Sequence, residues 1–251
     1  MLESNCTMSA MWRNMRFINK LYDKHKGQAI WICGSGPTLD DYPDNFLDDK
    51  IGITLHLATL KYPQASYRYF NEYDRLEYLI KQDPTVLERK NIFGWPFYRR
   101  TEEESARLTE KATKAYYLKL TPYPPNGMAK DIFTEVGVSA MKKQVKDAKR
   151  ARVIKFGGYG TCAHGCLYTA IMMGGNPIFM IGCGFKSIGD KEHFNEANII
   201  DKKMRPKIAL FSDQSRTKRM FTGTKAIIEG CKEQGIKIHW CKNYEQTCRF
   251  H

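Results

Sequence analysis

An α/β fold, with a mostly parallel sheet and helices on both faces, is what this sequence predicts. Two observations carry it. Short apolar runs rich in β-branched and aromatic residues alternate with stretches of helical period. A glycine-rich turn, Gly34-Ser35-Gly36-Pro37-Thr38, directly follows the first clear apolar run.

The elements follow in chain order. In 8–24, Met11, Met15, Phe17, Ile18 and Leu21 fall near helical spacing and predict an amphipathic helix. Ala29-Ile30-Trp31-Ile32-Cys33 reads as a strand, then the glycine turn, then a helix opening at Thr38 or Leu39. Residues 51–57 and 67–71 are further β-rich runs, while 74–82 and 101–117 look helical. Residues 121–128, TPYPPNGM, concentrate Pro and Gly and mark a loop, and 130–150 is a basic helical region. Gly157-Gly158-Tyr159-Gly160 leads into an apolar helix over 161–173, which Gly174-Gly175-Asn176-Pro177 ends. Residues 178–181 read as a fully buried strand, 222–234 as a helix stopped by Gly235, and 236–240 as a last strand. The pattern is Rossmann-like. A single domain over 1–251 is expected, with the irregular stretch 85–150 as an inserted lid or subdomain.

Hydrophobic residues at 42% and charged residues at 27% fit a globular chain rather than a disordered one. No apolar run approaches the ~18 residues of a membrane span, and the N-terminus lacks a secretory pattern, so a cytoplasmic protein is expected. The formal charge of +13 points to anionic partners without choosing between a small anion and a nucleic acid. Eight cysteines in such a chain are expected as reduced thiols. Cys162 and Cys166 flank His164, but no second, similarly spaced pair follows. They are expected as small buried residues of one helix, and no metal site is assigned.

The turn Gly34-Ser35-Gly36-Pro37-Thr38-Leu39 is the strongest local signal. A glycine turn between strand and helix lets backbone N–H groups approach an anion. It lacks the third glycine of a dinucleotide fingerprint and the Gly-Lys-Ser/Thr of a Walker loop. Gly157 to Ala163 repeats the arrangement before another helix, and two such turns are expected to face one crevice at the strands' C-terminal ends. The alternative is that these small residues let the helix pack tightly.

With these motifs, and Gly-x-x-x-Ile-x-x-x-Gly after the apolar helix, the chain resembles one superfamily. It groups bacterial sialyltransferase-like enzymes with 6-hydroxymethylpterin diphosphokinase-like proteins, both with a G-[NS]-G-P-[ST]-L loop. The resemblance covers roughly 28–75 and 155–240. It implies that Gly34, Ser35, Gly36, Pro37 and Thr38 hold nucleotide phosphates. Thr161, Cys162 and Ala163 match a Thr-Ser-Gly that contacts the nucleoside, and Asn71 matches a polar residue after the third strand.

Three departures stand out. His56 replaces an Asn after the second strand, Gly182-Cys183-Gly184 replaces a Gly-x-Asp, and 215–219 lacks the sialyltransferase histidine. Asp190-Lys191-Glu192-His193 fits the diphosphokinase branch better, which makes His193 the first acid–base candidate. His56 either touches the ligand or is a core histidine bonded to backbone, and His164 is expected to cap or pack.

Basic residues crowd 142–155 and 202–219. In the second set Arg216 and Lys218 are candidates to neutralise a leaving phosphate. The resemblance therefore implies a transferase with a nucleotide-activated donor, foremost a sialyltransferase-like glycosyltransferase acting on a hydroxyl of a glycan or a DNA base. No cofactor is assigned beyond the nucleotide-sugar donor. The alternatives are a Mg²⁺-dependent diphosphokinase moving pyrophosphate from ATP to a pterin-like alcohol, and a non-catalytic nucleic-acid-binding module.

Overall fold

A computed structural model describes residues 18–95, 97, 100–120, 135–150, 155–156, 161–185 and 214–250. Eight strands form one sheet: β1 (Ile30–Cys33), β2 (Ile51–Leu55), β3 (Tyr67–Phe70), β4 (Asn91–Trp95), β5 (Ala115–Leu120), β6 (Lys155–Phe156), β7 (Ile178–Ile181) and β8 (Ile238–Trp240). Their order is β6-β5-β4-β3-β2-β1-β7-β8. Every neighbouring pair is parallel, as expected of apolar strands joined by crossovers. The chain walks outward from β1 to β6, then returns across the sheet to place β7 on the other side of β1. The strand order therefore reverses between β1 and β7.

The α-helices are α1 (Ala58–Lys61), α2 (Tyr73–Gln82), α3 (Glu102–Thr109), α4 (Glu135–Lys149), α5 (Cys162–Met172), α6 (Gln214–Glu233) and α7 (Tyr244–Cys248). Both faces of the sheet are covered, because alternate residues of a fully buried strand point to opposite sides. On one face Ile30, Ile32, Ile178 and Met180 pack with Leu167 and Ile171 of α5, Met141 and Val145 of α4, and Ile227 of α6. On the other, Trp31 and Phe179 stack with ring centroids 4.0 Å apart beneath Phe46 and Tyr42. Farther along that face Phe70 and Phe93 pack with Leu76 and Leu79 of α2. The α5 helix has no polar face to offer: His164, Gly165, Cys166, Leu167, Tyr168, Thr169, Ala170, Ile171 and Met172 are all buried.

Four local expectations differ from the structure. Of the helix expected over 8–24, residues 8–17 lie outside the described residues and the rest is a short 3-10 helix, Ile18–Leu21, with a turn after it. The stretch 101–117 is not one helix. Its N-terminus is as sequence suggests, with a Thr101/Glu104 capping box, but α3 ends at Thr109. From Ala115 the β-prone Ala-Tyr-Tyr-Leu run pairs with β4 instead. After the first glycine turn there is a five-residue 3-10 helix, Pro37–Asp41, rather than an α-helix. The helix expected from residue 222 already begins at Gln214. Within the stretch 85–150, β4 and β5 extend the main sheet, while 121–134 lie outside the described residues.

The turns after β1 and β7 approach backbone to backbone. The N–H of Gly34 donates to the Ile181 carbonyl and that of Gly36 to the Gly182 carbonyl, both at 2.8 Å. A Cβ on Gly36 would stand 2.6 Å from the Gly182 oxygen, and one on Gly34 or Gly182 would collide with the opposite carbonyl. Gly182 also has φ +61, a left-handed conformation that glycine adopts without steric cost. Gly235, with φ +70, has open space around its missing Cβ and isolates the conformational part. Gly235→Ala is expected to cost about 1–2 kcal/mol. Gly182→Ala is expected to cost a further ~1–3 kcal/mol from overpacking, read as the difference between urea unfolding curves. Equal losses in the two variants would contradict the close approach.

Candidate functional site

Polar side chains gather just past the C-terminal ends of β2 and β3, where the first turn of α5 arrives. Residue 56 follows β2, residues 71 and 72 follow β3, and Cys162 is the first residue of α5. The helix is capped by Thr161, whose hydroxyl accepts the Ala163 N–H at 3.2 Å. The fit against the sheet depends on Gly165, while Gly157 to Gly160 of the second glycine cluster lie outside the described residues. A Cβ on Gly165 would collide with the buried Tyr69 hydroxyl.

His56 is the centre of the cluster. Its Nε2 lies 2.9 Å from Asn71 Oδ1 and 2.8 Å from Cys162 Sγ. Cys162 Sγ is in turn 3.8 Å from Glu72 Oε1, and Arg75 Nε lies 3.5 Å from Glu72 Oε2. Of the two readings weighed for His56, neither describes its side-chain bonds fully. It is buried, yet these side-chain bonds go to other side chains; its backbone N–H reaches the Tyr69 carbonyl. His56 also sits at φ +45, a left-handed backbone that costs a non-glycine residue of order 1–2 kcal/mol. Such outliers cluster where function holds them.

Two polar atoms here are buried without a hydrogen-bond partner: His56 Nδ1 and Arg75 Nη1. An orphaned guanidinium nitrogen is the more expensive, since a charged group left unpaired loses its full hydration. Burial lowers the His56 pKa; Glu72 and the Asn71 bond act against this, while Arg75 reinforces it. The imidazole is therefore neutral at pH 7, suited to hydrogen bonding and not to charge.

The first glycine turn reaches this region through its neighbours. Cys166, in the first turn of α5, interacts electrostatically with Cys162, Cys183 and Cys33, and burial pushes the Cys166, Cys183 and Cys33 thiols upward, Cys183 to about 12. The glycine turn, the turn after β7 and the start of α5 thus share one end of the sheet. The amides of Gly34 and Gly36 already serve the β7 turn, however, so those two N–H groups are not the ones facing an anion. Pro37 and Leu39 are buried, and Ser35 and Thr38 are partly exposed.

The other expected residues fare differently. His193 lies outside the described residues, as do Asp190 and Glu192. Arg216 and Lys218 fall in the first turns of α6, where Lys218 is exposed. His164 packs: it is fully buried, with Nε2 3.0 Å from Thr224 Oγ1 of α6. Two residues of the first basic cluster, Lys142 and Lys149, reach across to α6 and the turn after it. Lys142 reaches Glu229 at 3.2 Å and Glu233 at 2.8 Å, Lys143 pairs with Asp147, and Lys149 bonds the Gln234 carbonyl. Glu72 and Arg75 escaped the sequence reading. A signal existed, because Asn71-Glu72 directly follow a buried strand and Arg75 lies one turn on, facing back.

Comparison with family models, with curated proteins and with solved structures finds no match to the chain. Among the described residues no helix is long and apolar enough to cross a membrane.

Burial of neutral histidines predicts a pH dependence. His164 is pushed down to about 4 by desolvation, opposed by a backbone bond to Met220, and His56 moves in the same direction. A folded pKa below the unfolded one means the unfolded chain binds more protons, so stability is full above about pH 6.5 and falls as the pH drops below it. Between pH 6.5 and 5, urea unfolding is expected to lose up to about 1.4 kcal/mol per pH unit for His164, with His56 acting in the same direction. A flat profile over that window would contradict their burial.

Proposed function

We propose that this end of the sheet binds the phosphate of a nucleotide-activated donor, and that the chain is a transferase, foremost a sialyltransferase-like glycosyltransferase acting on a hydroxyl acceptor. The observation that carries the reading is Arg75. It is a buried guanidinium with one unpartnered nitrogen, one turn along α2 from Glu72 and close enough to His56 to influence its proton. A phosphate oxygen would satisfy that nitrogen beside the existing pair with Glu72. Support also comes from α5, an eleven-residue helix whose N-terminal amides and dipole favour an anion more than the short 3-10 turn at Pro37 does. The place agrees with the general rule that ligands of parallel α/β sheets bind outside the strands' carboxyl ends.

In this reading Arg75 and the start of α5 neutralise the departing nucleotide phosphate. Neutral His56 and Asn71 hydrogen-bond the nucleotide, with Thr161, Cys162 and Ala163 beside its nucleoside. The turn from Gly34 to Thr38 contributes through Ser35 and Thr38, its glycines giving shape. Arg216 and Lys218 would act from the first turns of α6, joined by His193. The diphosphokinase alternative needs Mg²⁺, which prefers a set of oxygens. Among the described residues, the group with metal-ligand spacing includes a thiol and an imidazole, a poor match for that ion. For the nucleic-acid module, Lys142 is engaged by Glu229 and Glu233, while Lys143, Lys146, Lys149 and Arg150 stay exposed.

The test is a thermal-shift screen against nucleoside mono- and diphosphates, nucleotide sugars and ATP. A ligand at one hundred times its Kd stabilises by about 2.7 kcal/mol. One base type is expected to raise the melting temperature, and Ser35→Asp and Arg75→Gln are each expected to abolish the rise. No stabilisation by any nucleotide, or an unchanged rise in both variants, sinks the reading.

A further inference from the structure

The cluster just past β2 and β3 holds more than hydrogen bonds. His56 Nε2, Cys162 Sγ and a Glu72 carboxylate oxygen all lie within 4.8 Å of one another. We propose that His56, Glu72 and Cys162 form a binding site for a thiophilic divalent cation of the zinc type. Three protein ligands leave the fourth tetrahedral position to water or to a ligand oxygen.

Four features support the site. The first is donor chemistry: thiolate, imidazole and carboxylate together select zinc or its late-transition neighbours over Mg²⁺ and Ca²⁺. The second is distance. Zinc bonds of about 2.0–2.3 Å space tetrahedral ligand atoms roughly 3.2–3.7 Å apart. Here Sγ stands 2.8 Å from Nε2 and 3.8 Å from Oε1, and all three atoms lie within 4.8 Å of one another, so shifts of up to about 1.5 Å admit the ion. The third is charge. One thiolate and one carboxylate offset a +2 ion, with Oε1 of Glu72 facing Cys162; the Arg75 guanidinium on Oε2 leaves the site near +1 and favours an anionic fourth ligand. The fourth is preorganisation. The ligands come from the end of β2, the turn after β3 and the first residue of α5, where the helix N-terminus favours a thiolate. A bound cation would also repay the left-handed backbone at His56. Because Nδ1 of His56 has no partner, the outer hydrogen bond that usually tightens a zinc-bound histidine is absent, and the affinity is expected to be modest. The proposal does not rest on the nucleotide reading.

The competing explanation is a bare Cys–His pair, and cobalt separates the two. The full chain, stripped of metal, is titrated with Co²⁺ and then with Zn²⁺ while circular dichroism confirms that each variant is folded. The wild type is expected to bind one equivalent of Co²⁺ with a thiolate-to-cobalt charge-transfer band that Zn²⁺ displaces. Cys162→Ser is expected to lose the band, and His56→Asn to weaken Zn²⁺ binding by more than the roughly 10–100-fold that removing an outer-shell partner costs. Cys248→Ser, at an exposed thiol on α7, is expected to keep both. Zn²⁺ is also expected to slow iodoacetamide alkylation of Cys162. Absence of the band, its persistence in Cys162→Ser, or alkylation of Cys162 indifferent to Zn²⁺ overturns the proposal; the last result leaves a metal-free Cys–His pair.

Discussion

The centre of the molecule is held by a contact between two turns that leaves no room for a side chain. Gly34 and Gly36 donate their amides across to the Ile181 and Gly182 carbonyls, which extends the β1–β7 pairing beyond the strands themselves. Because β1 and β7 come from distant parts of the chain, this seam fixes how the two halves of the sheet meet. It also fixes where the turns lie, and with them Cys33 and Cys183 beneath the start of α5. Much of what the crevice contains is arranged around that backbone approach.

One step away, the physical chemistry changes character. The seam is backbone packing in an apolar setting, whereas the ends of β2 and β3 carry an imidazole, an amide, a carboxylate, a guanidinium and a thiol within a few ångströms. A fold needs none of these there. A buried charge without a complete set of partners and a non-glycine residue with left-handed backbone both reduce stability. Such features also occur elsewhere, at Arg68 and Arg219 and at Asp23 and Phe185, but past β2 and β3 the two kinds stand side by side, at Arg75 and His56.

The sequence made the architecture readable because its strongest signals were local and consistent. The strand of 178–181 and the helices near 74–82 and 161–173 have uniform patterns and clear stops, and the structure has them nearly as expected. The stretch 101–117 misled because its charges keep helical spacing into a segment whose tyrosines prefer the sheet; pairing with β4 decides it, and pairing is invisible in one sequence. The site was half legible. His56, Asn71 and Cys162 stood out by position, but their meeting joins residues far apart in the chain, and only the path of α5 over the sheet brings them together. The glycine turn carries a second meaning that the sequence did not show. Its small residues are required, but by a neighbouring turn as much as by any ligand.

The order of the strands has a consequence for synthesis. As the chain leaves the ribosome, β1 can pair with β2 early, and β3 to β6 can add one after another on that side. Its other edge stays open until 178–181 emerge, and the strand concerned is Ile30-Trp31-Ile32-Cys33, apolar on both faces. An unfinished sheet with an exposed, greasy edge is a template for pairing with other nascent chains and a substrate for chaperones. Any product terminated before β7 keeps that edge for good. The late strand thus works as a closing seal on the first.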